Sequence, residues 1–166
     1  MYHTIEEFVT NWSHEANSTQ KIMDVLTDDS LKQEVAQDHR TLGKLAYHIV
    51  TSLHEMMSRT GLVFEAAKHE NVPTSAKEIA NSYRQASESM VAAIKEQWTD
   101  ESLKEVKDMY GEHWPNGLTL SILNSHQIHH RGQMSILMRQ AGLKVPGMYG
   151  PSLEEWQEYG METPTV

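Results

Sequence analysis

The chain has no cysteine. That single absence excludes disulfides, thiolate metal sites and a cysteine nucleophile. If thiol chemistry occurs here, the thiol must arrive as a substrate. No apolar run approaches the roughly 20 residues that span a bilayer, so no membrane partner is expected. Lys and Arg form no cluster, and the formal net charge is −9 with neutral histidines. A protein that binds duplex nucleic acid usually carries a basic face, so nucleic acid is not expected as a partner either. The first residues, Met1-Tyr2-His3-Thr4-Ile5-Glu6-Glu7, are acidic where a signal peptide would be basic and then apolar. A cytoplasmic location is the resulting expectation. No strand-like alternation persists anywhere, and no internal repeat is apparent.

What is present is helical. With 166 residues, 39% apolar and 22% charged, the chain fits one domain, residues 1–166, with a substantial core. The first helical pattern runs from about Thr4 to Leu26, with Ile5, Phe8, Val9, Trp12, Ala16, Ile22, Met23 and Leu26 at mostly helical spacing. Thr4 and Glu7 resemble a capping box. The second covers about Thr41 to Thr60, with Gly61 as its stop. The third is capped by Thr74 or Ser75 and reaches about Trp98, on the stripe Ile79, Tyr83, Ala86, Met90, Ala93 and Ile94. A long excursion, 99–117, leads to a fourth helix that stops at Gly142. Ser152 and Glu155 can box a short terminal helix. Four amphipathic helices with connectors of unequal length imply an all-α four-helix bundle, with room for a parallel pair. The ten methionines are expected to fill core gaps.

The fourth helix carries the most informative spacing. His126 and His130 are four residues apart, which on a helix separates them by about 40° in direction and about 6 Å in rise. Two imidazoles so placed can reach one metal ion. Ile122 and Leu137 share their face, so the histidines are expected to point inward. A lone histidine on an apolar face is usually a core residue satisfied by a hydrogen bond; a pair at this spacing argues for metal. His48, at the edge of the stripe Leu42, Leu45, Ala46, Ile49, Leu53 and Met56, is the third candidate. Three imidazoles leave a coordination position open, as in catalytic rather than closed structural sites.

Three blocks in this order carry a family resemblance. They are Arg40-Thr41-Leu42-Gly43-Lys44-Leu45-Ala46-Tyr47-His48, His126-Gln127-Ile128-His129-His130-Arg131-Gly132-Gln133 and Val145-Pro146-Gly147-Met148-Tyr149-Gly150-Pro151. Together they resemble the DinB/YfiT-like superfamily over nearly the whole chain. The resemblance implies an up-up-down-down four-helix bundle, often a homodimer. It implies a divalent metal, zinc or nickel, held by His48, His126 and His130. Some members of the family transfer low-molecular-weight thiols to small electrophiles or use such a thiol as cofactor. Others are described as metal-dependent hydrolases, and many have no known activity. Fold and metal site do not choose among these.

The favoured expectation is a metal-dependent enzyme transferring a small thiol to a small-molecule substrate. The alternatives are a metal-dependent hydrolase and a non-enzymatic metal-binding stress-response protein. No carboxylate lies within the two histidine blocks, so no general base is identified. His129 is the rival to His130, or an orienting neighbour. His54 lies about 240° around the helix from His48 and is expected outside the site. His3, His14, His39, His69 and His113 are expected in solvent, and Glu154-Glu155 as a solvated helix start. Gln133 is read as a buried amide bonded to another helix, and Tyr47, Tyr110 and Trp114 as packing residues.

Overall fold

The computed structural model describes residues 1–67 and 71–165. His69 lies outside the described residues. The helices begin where the sequence offers side-chain acceptors for the first free N–H groups. Helix α1 spans Ile5–Asp24, and Thr4 Oγ1 accepts from the Glu7 N–H. Helix α2 spans Leu42–Ser58 behind Thr41, which accepts from the Lys44 N–H. Helix α3 spans Ala76–Gln97 behind Ser75, which accepts from the Glu78 N–H. Helix α4 spans Asn116–Gln140, and Gly142, at φ 77°, follows its end. Helix α5, Leu153–Glu158, starts with the reciprocal Ser152–Glu155 box. No described helix is long and apolar enough to cross a membrane.

The four-helix bundle expected from the sequence is observed. Helices α1 and α2 each pack against both α3 and α4. Tyr2, Asn11 and Glu15 meet Gly117, Asn124 and Arg131 in step, so α1 and α4 run parallel. Trp12 bonds Ser87 while Gln20 reaches the Ala80 carbonyl, so α3 runs antiparallel to α1. Leu45 lies beside Leu137, and Met56 beside Ile122, so α2 runs antiparallel to α4. The direction order along the chain is therefore up, down, down, up. The resemblance led us to expect up, up, down, down; the parallel neighbours are instead α2–α3 and α4–α1. Joining α2 to α3 in parallel requires a return along the bundle. A 22-residue helix is about 33 Å long, which the connector 59–75 can span when extended.

The core is apolar and methionine-rich: Phe8, Trp12, Leu42, Ile49, Leu53, Ile79, Met57, Met90, Met134 and Met138 are all buried. A second difference lies in the excursion 99–117. It contains a 3-10 turn at Asp100–Lys104 and an antiparallel hairpin of β1, Val106–Met109, and β2, Glu112–Pro115. The connecting pair Tyr110-Gly111 has φ values of 60° and 88°, as a two-residue primed turn requires. The usual sequence sign of that turn is Asn-Gly or Asp-Gly. Tyrosine in the first position, with strands of only four residues, gives almost no periodic signal.

One buried ion pair ties α4 to α1. Arg131 is 1% exposed. It donates to Glu15 Oε2 at 2.5 Å, to the Glu15 carbonyl at 2.8 Å and to Thr19 Oγ1 at 3.1 Å. Tyr149, from the segment after α4, donates to Glu15 Oε2 at 2.7 Å. Removing one partner would leave the other charge buried and unmatched. Arg131→Ala is expected to cost about 3–5 kcal/mol, a fall in thermal midpoint on the order of 10 °C for a chain of this size. The double change Arg131→Met with Glu15→Leu is expected to cost less than Arg131→Ala alone, as measured by denaturant unfolding.

Candidate metal centre

The core-facing side of α4 is Leu120, Leu123, Asn124, Gln127, Arg131, Met134 and Met138, all buried. His126 and His130 lie to one side of it and are half-buried at the seam with α2. They point inward as expected but are only half-buried, because Gln127 and Arg131 take the central positions. Gln127 donates to the Ile49 carbonyl at 3.2 Å and to Ser52 Oγ at 3.3 Å on α2. A buried amide bonded across the seam fixes the register of the two helices. That register sets His48 of α2 opposite His126.

The three candidate histidines come together. Nε2 of His126 lies 3.2 Å from Nε2 of His48 and 3.1 Å from Nε2 of His130. The potential ligand atoms of the three residues all lie within 4.8 Å of one another. Nitrogen ligands at about 2.0–2.1 Å from a tetrahedral ion would stand roughly 3.3 Å apart. The donor set therefore fits a divalent metal in both spacing and chemistry. His130 Nδ1 meets Gln133 Oε1 at 2.7 Å, which places the proton on Nδ1 and the lone pair on Nε2, facing the other imidazoles. Gln133 Nε2 contacts His129 Nε2 at 3.0 Å. Gln133 is thus exposed rather than a buried amide, and it orients His130. His129 stands behind Gln133 and is not one of the converging ligands. His54 packs near Phe64, at 5.2 Å between ring centres with the rings tilted, and is not among the converging ligands. His3, His14, His39 and His113 are exposed.

The local field keeps the imidazoles neutral. Partial burial, then the Arg40 charge and the neighbouring histidines, lower the His48 pKa to about 4. Partial burial and the His130 and His129 charges lower that of His126 to about 4. His130 is lowered as well, mainly by burial. Neutral imidazoles are the metal-binding form.

Cavities open on both sides of the cluster. One, of about 430 Å³, is lined by His39, Arg40, Leu45, His130, Ile136 and Leu137, among others. The other, of about 390 Å³, is lined by His48, Glu55, Met56, Tyr110, Trp114 and His126, among others. Both volumes lie in the range of small-molecule sites. Tyr110 and Trp114, for which the sequence favours packing over a place at the pocket mouth, line the second cavity, while Tyr47 is buried in the core. Glu55 is the carboxylate that sequence reasoning missed. It lies seven residues beyond His48, close to two helical turns, and that spacing was the available signal. Tyr110 donates to Glu55 Oε2 at 2.6 Å and Arg59 to Oε1 at 2.9 Å. Burial alone would raise the Glu55 pKa, but these hydrogen bonds more than offset it and the net shift is downward. The expected solvated helix start at Glu154-Glu155 is instead bonded: Glu154 pairs with Arg139, and Glu155 accepts from the Gly147 and Ser152 N–H groups.

Comparison with known proteins agrees with this geometry. A model of the DinB family matches residues 1–164. The chain is 50% identical to the uncharacterized protein YrdA of Bacillus subtilis, over the full length of both. It is 23% identical to the uncharacterized protein YjoA of the same organism, covering 82% of this chain and 90% of that one. A crystal structure of a DinB-like protein from Bacillus cereus superposes with a TM-score of 0.87 at 52% identity, covering 90% of this chain and all of the other. The crystal structure of YjoA superposes at 0.68 with 24% identity, covering 86% and 97% of the two chains, and shares the fold. The chain belongs to the DinB family.

The lowered histidine pKa values set a pH dependence for the metal-free protein. Between the ordinary value of about 6.5 and about 4, the unfolded chain takes up protons that folded His48 and His126 do not. Stability therefore falls as pH drops through that window, and these two groups add no further loss below it. In chelator, the double variant His48→Gln, His126→Gln should lose less stability than wild type between pH 7 and 4. Denaturation midpoints at a series of pH values check this; parallel profiles would contradict it.

Proposed function

We propose that this DinB-family chain holds a divalent metal, zinc or nickel, on His48, His126 and His130. On this reading it transfers a low-molecular-weight thiol to a small electrophile. The observation that carries the reading is the convergence of three neutral imidazoles between two cavities. Three ligands leave a coordination position open, and two cavities suit two substrates meeting at one centre. A divalent ion there would favour the thiolate form of a substrate thiol, the attacking species. The chain itself has no cysteine to supply one. Gln133 holds His130 with its Nε2 lone pair directed at the cluster, and Gln127 holds the two helices in register around it. Trp114, Met56 and Ile122 give the cavity on one side an apolar lining.

Hydrolysis of a small molecule is the second reading, supported by Glu55 in the cavity beside His48 and His126. Against it, both carboxylate oxygens of Glu55 already accept hydrogen bonds and its pKa is lowered. A general base works best with a pKa near the working pH. A purely structural ion, as in a non-enzymatic stress-response protein, would need a closed site. The homodimer and the location in the cytoplasm are carried over from the resemblance and from the sequence.

Loss of any of the three histidines is expected to lower metal affinity more than Gln133→Ala, which should cost about 10–100-fold. His54→Ala should leave affinity unchanged. Cobalt-loaded protein should develop a thiolate charge-transfer band on addition of millimolar small thiols, and His130→Ala should not. A cobalt spectrum indifferent to every such thiol would sink the transferase reading. Metal content by elemental analysis that is equal in wild type and His126→Ala would sink the ligand assignment.

A further inference from the structure

The chain carries five arginines and 23 acidic residues. Four of the arginines bond a carboxylate: Arg59 with Glu55, Arg84 with Asp24, Arg131 with Glu15 and Arg139 with Glu154. Arg40 bonds none among the described residues. It lies instead on the wall of the 430 Å³ cavity that ends at His130. The other walls are Val35, Leu45, Ile136 and Leu137, with His39 beside Arg40, and no carboxylate lines the space. In a protein of net charge −9, this arginine without a carboxylate partner among the described residues borders a largely apolar cavity. A guanidinium offers a planar fork of donors that matches a carboxylate. Leu45 and Leu137 are buried while Val35 and Ile136 are more than half exposed, so such a pair is partly shielded from water. Arg40 is also close enough to the three histidines for its charge to oppose their protonation.

We infer that this cavity is a subsite for a small amphipathic carboxylate, with Arg40 pairing the carboxylate and Val35, Leu45, Ile136 and Leu137 covering its apolar part. The inference deepens the proposed function and, as a statement about substrate, rests on it: the substrate that reaches the histidines from this side carries a carboxylate. Arg40 is the specificity-determining residue of that subsite. His39 does not compete for the role, since its Nδ1 is engaged with the Gln37 carbonyl at 2.9 Å.

The test has a metal-free arm and a metal-loaded arm. In the first, metal-free protein is titrated with phenylacetate and with phenylacetamide, and binding is read from methyl resonances of Val35, Leu45, Ile136 and Leu137. Phenylacetate should bind at least about tenfold more tightly than the amide, the scale of one charge-assisted pair. Arg40→Gln should remove that preference without changing the thermal midpoint, because Arg40 is exposed and bonds no other side chain among the described residues. Equal binding of acid and amide, or binding of neither, overturns the inference. So does a preference that survives Arg40→Gln. In the second arm, cobalt-loaded protein is titrated with 3-mercaptopropionate and with 3-mercaptopropionamide. The acid should raise the charge-transfer band at about tenfold lower concentration in wild type, and at the same concentration as the amide in Arg40→Gln. If phenylacetate is selected but neither thiol gives a band, the thiol-transfer reading fails and the carboxylate subsite stands.

Discussion

The position of the histidines depends on the buried contact between Arg131 and Glu15. Side chains on a helix turn by about 100° per residue. With the Arg131 guanidinium directed at α1, His130 is turned roughly 100° away from it and His126 roughly 140°, in the same sense. Both are thereby presented to α2, where His48 stands. Gln127, only about 40° from Arg131, lies between and bonds α2 directly. One helix is held by an ion pair on one side and an amide on the other, and the imidazoles take the orientation that remains. Buried pairs of this kind add little net stability. Their use here is positional, since an apolar pair at 15 and 131 would let α4 rotate without leaving a charge unmatched.

Much of the fold was legible because its signals are local. Thr4, Thr41 and Ser152 mark helix starts through atoms three residues away, and the α2 and α3 stripes are buried as their spacing predicts. The pairing of His126 with His130 is likewise local. His48 was legible as the edge of a stripe, and the family resemblance supplied its partner. What was not legible depends on contacts between distant segments. The direction order of the helices is set by how the connectors 25–41, 59–75 and 98–115 return, and periodicity within helices carries no trace of that. Gln133 looked buried because it shares the face of the histidines, but the seam at which that face lies opens to a cavity. The Glu55, Tyr110 and Arg59 cluster joins residues from α2 and a hairpin whose turn lacks the usual residues.

The converging imidazoles are a cost to the folded chain without a cation. His126 Nε2 stands 3.2 Å from that of His48 and 3.1 Å from that of His130, and one ring nitrogen with a lone pair or a single proton cannot bond both fully. His126 Nδ1 is buried and makes no hydrogen bond among the described residues. An arrangement of this kind persists when the surrounding packing over-determines it. Arg131, Gln127 and Gln133 supply that constraint. On the proposed reading the metal offsets the cost, and the neutral state imposed by burial removes proton competition at neutral pH.

The two cavities differ in charge, and the difference follows from the same residues. On the α2 C-terminal side the cation and the carboxylate are matched: Arg59 bonds Glu55, and its guanidinium lies 4.4 Å from the centre of the Tyr110 ring. Tyr110 reaches Glu55 because the hairpin turn holds it at positive φ. That charge is matched, and the rest of the lining beside the histidines is Thr51, Ser52, Met56, Trp114 and Ile122. At the α2 N-terminal side Arg40 has no such partner among the described residues. A molecule approaching the histidines therefore meets an unmatched positive charge on one side and a neutral, aromatic wall on the other. An anionic thiol entering from the Arg40 side and an uncharged electrophile entering from the Trp114 side would each find complementary surroundings. The cluster lies between them, so on the proposed reading the asymmetry of charge would order two substrates without any motion of the bundle.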